Sequence, residues 1–346
     1  MQSPGHYTYF QAYWQTTLTV RQFAGIYEAM IRKFDGSLAD AEGLLAVEQA
    51  TFDECPYTAQ EVRAMLQSGS PQLAWLAIED DTPFGRRSPL REHVAGFVIA
   101  FPVSSLQGAW WEIDLVAVHP DRQGRGLGRQ LIQTATAGGE GLASRSRAVV
   151  AADNRCSARA FACAGFQGEP TACTLLIRRL DERKPSPQPT PGISVHEAAS
   201  AAEAAGWQVP LLASWGVEDL ELAETAQKQN ITHPLPSGGD KSQNHRGSTL
   251  LLAEHLGRPA GYAELIEVET LLYRGIWIES LAASSRAVGE TLVYNAMNRA
   301  TTAGLDEVSA MVPRENQPLR HTLLAAGFRS LGAYRWFSAD LPPGDL

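Results

Sequence analysis

A chain of 346 residues, 44% hydrophobic and 19% charged, is long enough for two ordinary globular domains. Its formal net charge of −9 excludes a general nucleic-acid binder, which presents a basic face. No apolar run is long enough to span a bilayer, and the opening MQSPGHYTYFQAYWQ has neither the basic start nor the apolar core of a signal peptide. A cytoplasmic protein with no nucleic-acid or membrane partner is therefore expected. Lysine is scarce beside arginine, the bias of a GC-rich bacterial genome. Cys55, Cys156, Cys163 and Cys173 show no metal-ligand spacing and read as small buried thiols of a reducing compartment, with no metal expected.

Residues 1–29 form an N-terminal extension in which TVRQFAGIYEAM has helical character. The pattern then predicts a strand over 30–34, helices over 39–52 and 58–67, and strands over 72–79, 93–102 and 110–118. A helix over 126–137, a strand over 147–152, a helix over 154–163 and a strand over 171–180 follow. DERKPSPQPTPG, charged and then proline-rich, reads as a semi-rigid linker. Beyond it the pattern predicts a strand over 193–197, helical material to about residue 229, and a polar loop over 232–247. Strands over 249–255, 259–268 and 271–283, a helix over 287–303, a strand over 307–312, a helix over 316–325 and a strand over 333–339 complete the chain. Alternation of this kind in both halves implies α/β units on mixed sheets.

The stretch VHPDRQGRGLGRQL, from Val118 to Leu131, sits where a strand turns into a helix. The first N–H groups of a helix have no partner within it, and the helix dipole adds partial positive charge there. Glycines allow close approach of the backbone, so the turn has the makings of a phosphate cradle. It is not a P-loop, because no Lys-Ser/Thr pair follows the glycines. It is not a dinucleotide fingerprint either: counted from Gly124 or Gly126, the last glycine falls on Arg129 or Leu131. What remains is Q-x-x-G-x-G, formed by Gln123, Gly126 and Gly128. A second motif, ADNRCSARAFACAGF, follows a short apolar strand, with Asn154 at a helix start and Gly165-Phe166 at its end.

The chain also repeats itself. NRCSARAFACAGF from Asn154 aligns without a gap with NQPLRHTLLAAGF from Asn316, and WEIDLVAV from Trp111 aligns with WIESLAAS from Trp277. The second copy has a shorter loop, SSRAVGETL, which keeps Gly289 and lacks Q-x-x-G-x-G.

These motifs, with the helical stretch DAEGLLAVEQATFDECPYTAQEVRAML, resemble the GNAT (GCN5-related N-acetyltransferase) superfamily over about residues 30–180, nearest to the branch that acetylates protein N-terminal amines. The resemblance implies an α/β fold of two tandem GNAT-like domains, each a mixed, mostly antiparallel sheet flanked by helices. The divisions it suggests are an extension (1–29), a GNAT domain with the acetyl-CoA loop (30–182), a Pro-rich linker (183–191) and a degenerate GNAT-like domain (192–346). It implies acetyl-CoA as co-substrate, with the pyrophosphate held by Gln123, Gly124, Arg125, Gly126, Leu127, Gly128 and Arg129. The backbone of Val116, Ala117 and Val118 would pair with the pantetheine arm like an added strand. Asn154 belongs to the second motif, though it would cap its helix whatever the function.

Acetyl transfer to an amine requires a deprotonated amine, a polarised thioester carbonyl and a leaving thiolate. Period two puts Trp110, Glu112, Asp114, Val116 and Val118 on one face of the strand. The resemblance to the histone-acetylating branch, whose base lies eleven residues before the loop glutamine, makes Glu112 the first candidate base and Asp114 the second; the plainer reading is exposed carboxylates or pairs with arginines. Many family members carry a tyrosine as general acid seven residues after the motif asparagine, where this chain has Phe161. In the second copy Ile278 and Ser280 stand where Glu112 and Asp114 align, and Leu323 where Phe161 does. Asp53, Glu54 and Tyr57 lie where the resemblance would admit the amine acceptor. An N-acetyltransferase with an active first copy is expected, as a monomer or homodimer. A non-catalytic acyl-CoA sensor is the alternative, and a longer acyl donor a variant of the enzyme.

Overall fold

The computed structural model describes residues 29–52, 57–67, 72–80, 92–105, 108–180, 190–198, 213–215, 248–271 and 273–342. The N-terminal extension before residue 29, the linker, the acidic residues Asp53 and Glu54 and the polar loop over 232–247 lie outside the described residues. The chain divides into two compact units: residues 1–102, 110–169 and 336–346, and residues 103–109 and 170–335.

The first unit contains β1 (Met30–Lys33), α1 (Leu38–Thr51), α2 (Ala59–Gln67), β2 (Leu73–Asp80), β3 (Glu92–Ser105), β4 (Gly108–Val118), α3 (Leu127–Ala137), β5 (Arg145–Ala151), α4 (Arg155–Cys163) and the short β6 (Gln167–Gly168). Its sheet runs β1-β2-β3-β4-β5 and ends on the last residues of the chain's final strand. β1–β2 and β2–β3 are antiparallel, and β4–β5 is parallel. Helix α1 starts at Ser37, whose hydroxyl accepts the Asp40 N–H, while the buried Asp40 carboxylate receives both ends of the Arg32 guanidinium. Trp111 is fully buried and donates its indole N–H to the Ala135 carbonyl at 2.7 Å, which locks α3 onto β4. Around it pack Trp75, Leu131, Ile132, Phe161, Phe166 and Phe337.

The second unit contains β7 (Cys173–Arg179), β8 (Ile193–Glu197), β9 (Ala213–Trp215), β10 (Ser248–His255), β11 (Arg258–Glu269), β12 (Arg274–Ala283), α5 (Arg286–Thr302), β13 (Glu307–Pro313) and α6 (Gln317–Ala325). The final strand, β14 (Arg329–Asp340), starts in this unit and ends in the first. The order here is β14-β7-β13-β12-β11-β10-β8, with every neighbouring pair antiparallel except the parallel β12–β13. The strand that closes the first half of the sequence, β7, thus finds its partners in the second unit. The end of the strand that closes the second half, Trp336 onward, belongs to the first unit.

The repeat seen in the sequence is a repeat of geometry. Trp111 pairs with Ser146 across β4–β5 as Trp277 pairs with Ser309 across β12–β13. Asn154 and Asn316 are both N-caps with almost the same backbone angles, accepting the N–H three residues on at 3.0 and 3.3 Å. Two expectations need correction. The stretch read as helical to about residue 229 contains a strand, β9, because its backbone pairs with the open edge of β12. Cys156 and Cys163 are not buried thiols: both lie on the exposed face of α4, seven residues apart, while Cys173 is buried.

Candidate active site

The predicted alternation in β4 holds from Trp110 to Ala117: Trp111, Ile113, Leu115 and Ala117 are buried, while Trp110, Glu112, Asp114 and Val116 are half-buried. Val118, expected on the half-buried face, is buried instead, because it belongs to the core that receives the start of α3. β4 and β5 pair only over Trp110–Arg145, Trp111–Ser146 and Glu112–Arg147. β4 continues to Val118 and β5 to Ala151 without further pairing, so the two parallel strands part after Glu112. The edge of β4 that faces the opening, Ile113 to Val118, offers backbone N–H and C=O groups to an added strand-like ligand.

At the open end β4 runs into the glycine loop. The Gln123 side-chain amide donates to the Val118 carbonyl at 3.0 Å, so this motif residue braces the loop against the strand. Gly124 and Gly126 have φ of +77° and +84°, which side chains rarely adopt, and a Cβ on either would meet nothing within 4 Å. These glycines serve the backbone path and leave open space above it. The first helical bond of α3 is Gln130 N–H to the Gly126 carbonyl, so the N–H groups of Leu127, Gly128 and Arg129 precede the helical ladder. Leu127 is buried and pins the helix start. Arg129 is exposed, with no ion pair among the described residues. Arg125 is less free than its position in the motif implies: it lies 3.6 Å from the Glu79 carboxylate. An open cradle of N–H donors beside a strand edge that β5 leaves after Glu112 fits the pyrophosphate and pantetheine of acetyl-CoA.

Glu112 stands at the last paired position, and Arg147 Nε lies 2.6 Å from its Oε2. The Arg147 guanidinium also lies between two indoles, 5.0 Å from the Trp110 ring and 4.7 Å from that of Trp336. Burial raises the pKa of the nearby Glu169 carboxyl, and the Arg147 charge opposes that rise. A carboxylate bonded to a guanidinium is a weak proton acceptor, so the pair moves Glu112 behind Asp114 as a candidate base. Asp114 lies two residues further along β4, past the last pairing with β5. Phe161 is in the core, its ring edge-on to Phe166 at 5.1 Å and tilted against Phe337 at 5.9 Å. It offers packing and no proton.

Sequence reasoning missed Arg147, Trp336 and Glu79. Arg147 was within reach, since a parallel partner for a charged strand position calls for an opposite charge. Trp336 joins the site only through the chain's exchange of end strands, which no local pattern signals.

Residues 44–166 match the model of the acetyltransferase (GNAT) family. Over that stretch, which lies within the first half of the sequence, the chain is similar to GNAT acetyltransferases. The solved structures it is similar to include the GCN5-related glucosamine N-acetyltransferase region of a fungal multi-domain GH3 β-N-acetylglucosaminidase, at TM-score 0.55 and 15% identity, covering 94% of this chain and 40% of that one. The chain thus spans less than half the length of that fungal protein. They also include a tandem GNAT protein from the clavulanic acid biosynthesis pathway, at TM-score 0.50 and 17% identity, covering 92% of this chain and all of the other. A GNAT from Sphaerobacter thermophilus has the same score and identity, with 91% and 96% covered. No curated protein sequence matches.

The second copy has the same strand parting and a different content. β12 pairs with β13 only as far as Ile278–Ala310, and its register against β11 shifts there. Where the first copy has the Glu112–Arg147 pair, the second has Ile278 and Ala310. Its gap holds a piece of the chain itself: β9 pairs antiparallel with Leu281, Ala282 and Ala283. The other edge of β12 is taken by β11 along these same residues, so β9 lies on the side of the opening. Among the described residues, no helix is long and apolar enough to cross a membrane, and no cluster of His, Cys, Asp and Glu has the makings of a metal site.

Proposed function

We propose that the first copy transfers acetyl from acetyl-CoA to a primary amine by direct attack in a ternary complex, and that the second copy is structural. The observation that carries this reading is the contrast between the two openings. In the first unit the parted strand ends in a glycine loop with open space above it. In the second the same opening holds strand β9 and no such loop follows.

In this reading the N–H groups of Leu127, Gly128 and Arg129 hold the pyrophosphate, and the backbone of Val116 to Val118 aligns the pantetheine arm and polarises the thioester carbonyl. Asp114, directly or through water, takes the proton of the attacking amine. The C–N bond forms, the C–S bond breaks, and the thiolate of CoA leaves. Glu112 orients Arg147, and Trp110 and Trp336 wall the acceptor's side of the strand. Phe161 has no proton to give, so water protonates the leaving thiolate.

The test is amine-dependent release of CoA thiol from acetyl-CoA. The panel comprises N-terminal peptides, polyamines, aminoglycosides, amino acids and glucosamine, the last because the fungal region is a glucosamine N-acetyltransferase. Turnover with one class, reduced by Asp114→Asn, names the acceptor. The presence of Phe161 where many GNAT proteins have tyrosine favours a second reading, a sensor that binds acyl-CoA without turnover. Tight binding of acetyl-CoA with silence across the panel, and with longer acyl donors, selects that one.

A further inference from the structure

Glu79 is a carboxylate near the end of β2 with only 3% of its side chain exposed. Its Oε2 lies 3.3 Å from Arg122 Nε, 3.6 Å from an Arg125 terminal nitrogen and 4.0 Å from His93 Nε2. Arg122 ends the 3-10 turn that follows β4, and Arg125 stands between the two glycines of positive φ. Those glycines make no side-chain packing of their own. The backbone from residue 122 to 126 is therefore held by other side chains, Gln123 on the Val118 carbonyl and the two arginines on Glu79. A buried carboxylate is costly without counter-charges, so the contact fixes both sides.

We propose that Glu79 is a positioning residue for the pyrophosphate of acyl-CoA. It grips the loop through Arg122 and Arg125, and so aims the N–H groups of Leu127, Gly128 and Arg129. This rests on the reading of the loop as the acyl-CoA cradle. It assigns Arg125 a different task from the phosphate pairing that its position implies. Electrostatics alone gives the opposite expectation. Removing a negative charge beside the loop frees two guanidiniums and raises the local potential, which strengthens anion binding.

The experiment compares Glu79→Gln with the wild-type full chain on two donors, acetyl-CoA and S-acetylpantetheine, which has no pyrophosphate. The expected result is a KM for acetyl-CoA raised about tenfold with kcat within about twofold, and kcat/KM for S-acetylpantetheine unchanged. Glu79→Asp, which keeps the charge, recovers part of the loss. A KM for acetyl-CoA that falls or stays the same overturns the proposal, as does an equal loss on both donors, which marks a general structural defect. Should Glu79→Gln not fold, Arg122→Gln removes the grip at the closer partner; the same donor-specific split is expected, and no split overturns the idea. Direct binding of CoA separates the layers. Wild-type protein that binds no CoA overturns the cradle reading and this inference with it. Normal wild-type binding with unaltered variants overturns this inference alone.

Discussion

Glu112 and Arg147 meet at 2.6 Å at the last position where β4 and β5 pair, so an ion pair closes the apex of the opening. The pair is largely buried, and removing one partner leaves the other charge poorly compensated. Glu112→Gln should cost about 2 kcal/mol of stability and lower the amine-dependent rate by about tenfold through a displaced Arg147. Asp114→Asn should leave thermal stability closer to wild type and lower kcat by on the order of a hundredfold, the scale of a lost general base. Steady-state kinetics and thermal melts on both variants decide the matter. A larger kcat loss for Glu112→Gln, with an unchanged melting temperature, reverses the assignment.

One acetyl-CoA should bind per chain. Among the described residues no strand pairs with β4 on the β5 side beyond Glu112, whereas β9 already pairs with Leu281 to Ala283 in the second opening. Titration calorimetry should give a stoichiometry near one, abolished by Gly126→Trp, whose side chain fills the space above the loop and strains a φ of +84°. Two sites of comparable affinity are incompatible with a plugged second copy.

The elements that local chemistry specifies are legible in the sequence. The alternation of β4, the glycine loop, and the caps at Asn154 and Asn316 all depend on residues within a few positions of each other. The repeat was legible because its landmarks, Trp111 with Trp277 and Asn154 with Asn316, do geometric work in both copies. β9 was not legible, since a three-residue strand has no period of its own and exists because β12 offers it an edge. The pairing of Glu112 with Arg147 required the β4–β5 register, and the role of Trp336 required knowing that β14 ends in the first unit. Glu79 reads as an ordinary polar position in an apolar strand until the loop folds over it.

Phe161→Tyr restores the tyrosine common in the family and should not accelerate the reaction. The ring is in the core against Phe166 and Phe337, and a buried hydroxyl without a partner costs about 1–3 kcal/mol. Differential scanning calorimetry should show a lowered melting temperature, with kcat no higher than that of the wild type. A rise in kcat with a new basic limb in the pH profile means that the ring position reaches the leaving thiolate, and sinks the view of Phe161 as packing alone.

Burial at the start of β13 pushes the Glu307 carboxyl up to about 7, with Asp306 adding to the rise and Arg179 opposing it. The folded protein therefore keeps a proton that the unfolded chain gives up near its ordinary carboxyl value of 4.5. Between these two values the folded state binds more protons, and stability falls as pH rises; above about 7 both states are ionised and the loss is complete. With about 1.4 kcal/mol per pKa unit, the loss is on the order of 3–4 kcal/mol at most. Glu307→Gln keeps the shape and removes the titration. It should be more stable than wild type at pH 8, about equal at pH 4.5, and its denaturant midpoint should be flatter between them. A wild-type midpoint that rises from pH 5 to 7, or a variant with the same slope as wild type, assigns the pH dependence to other groups.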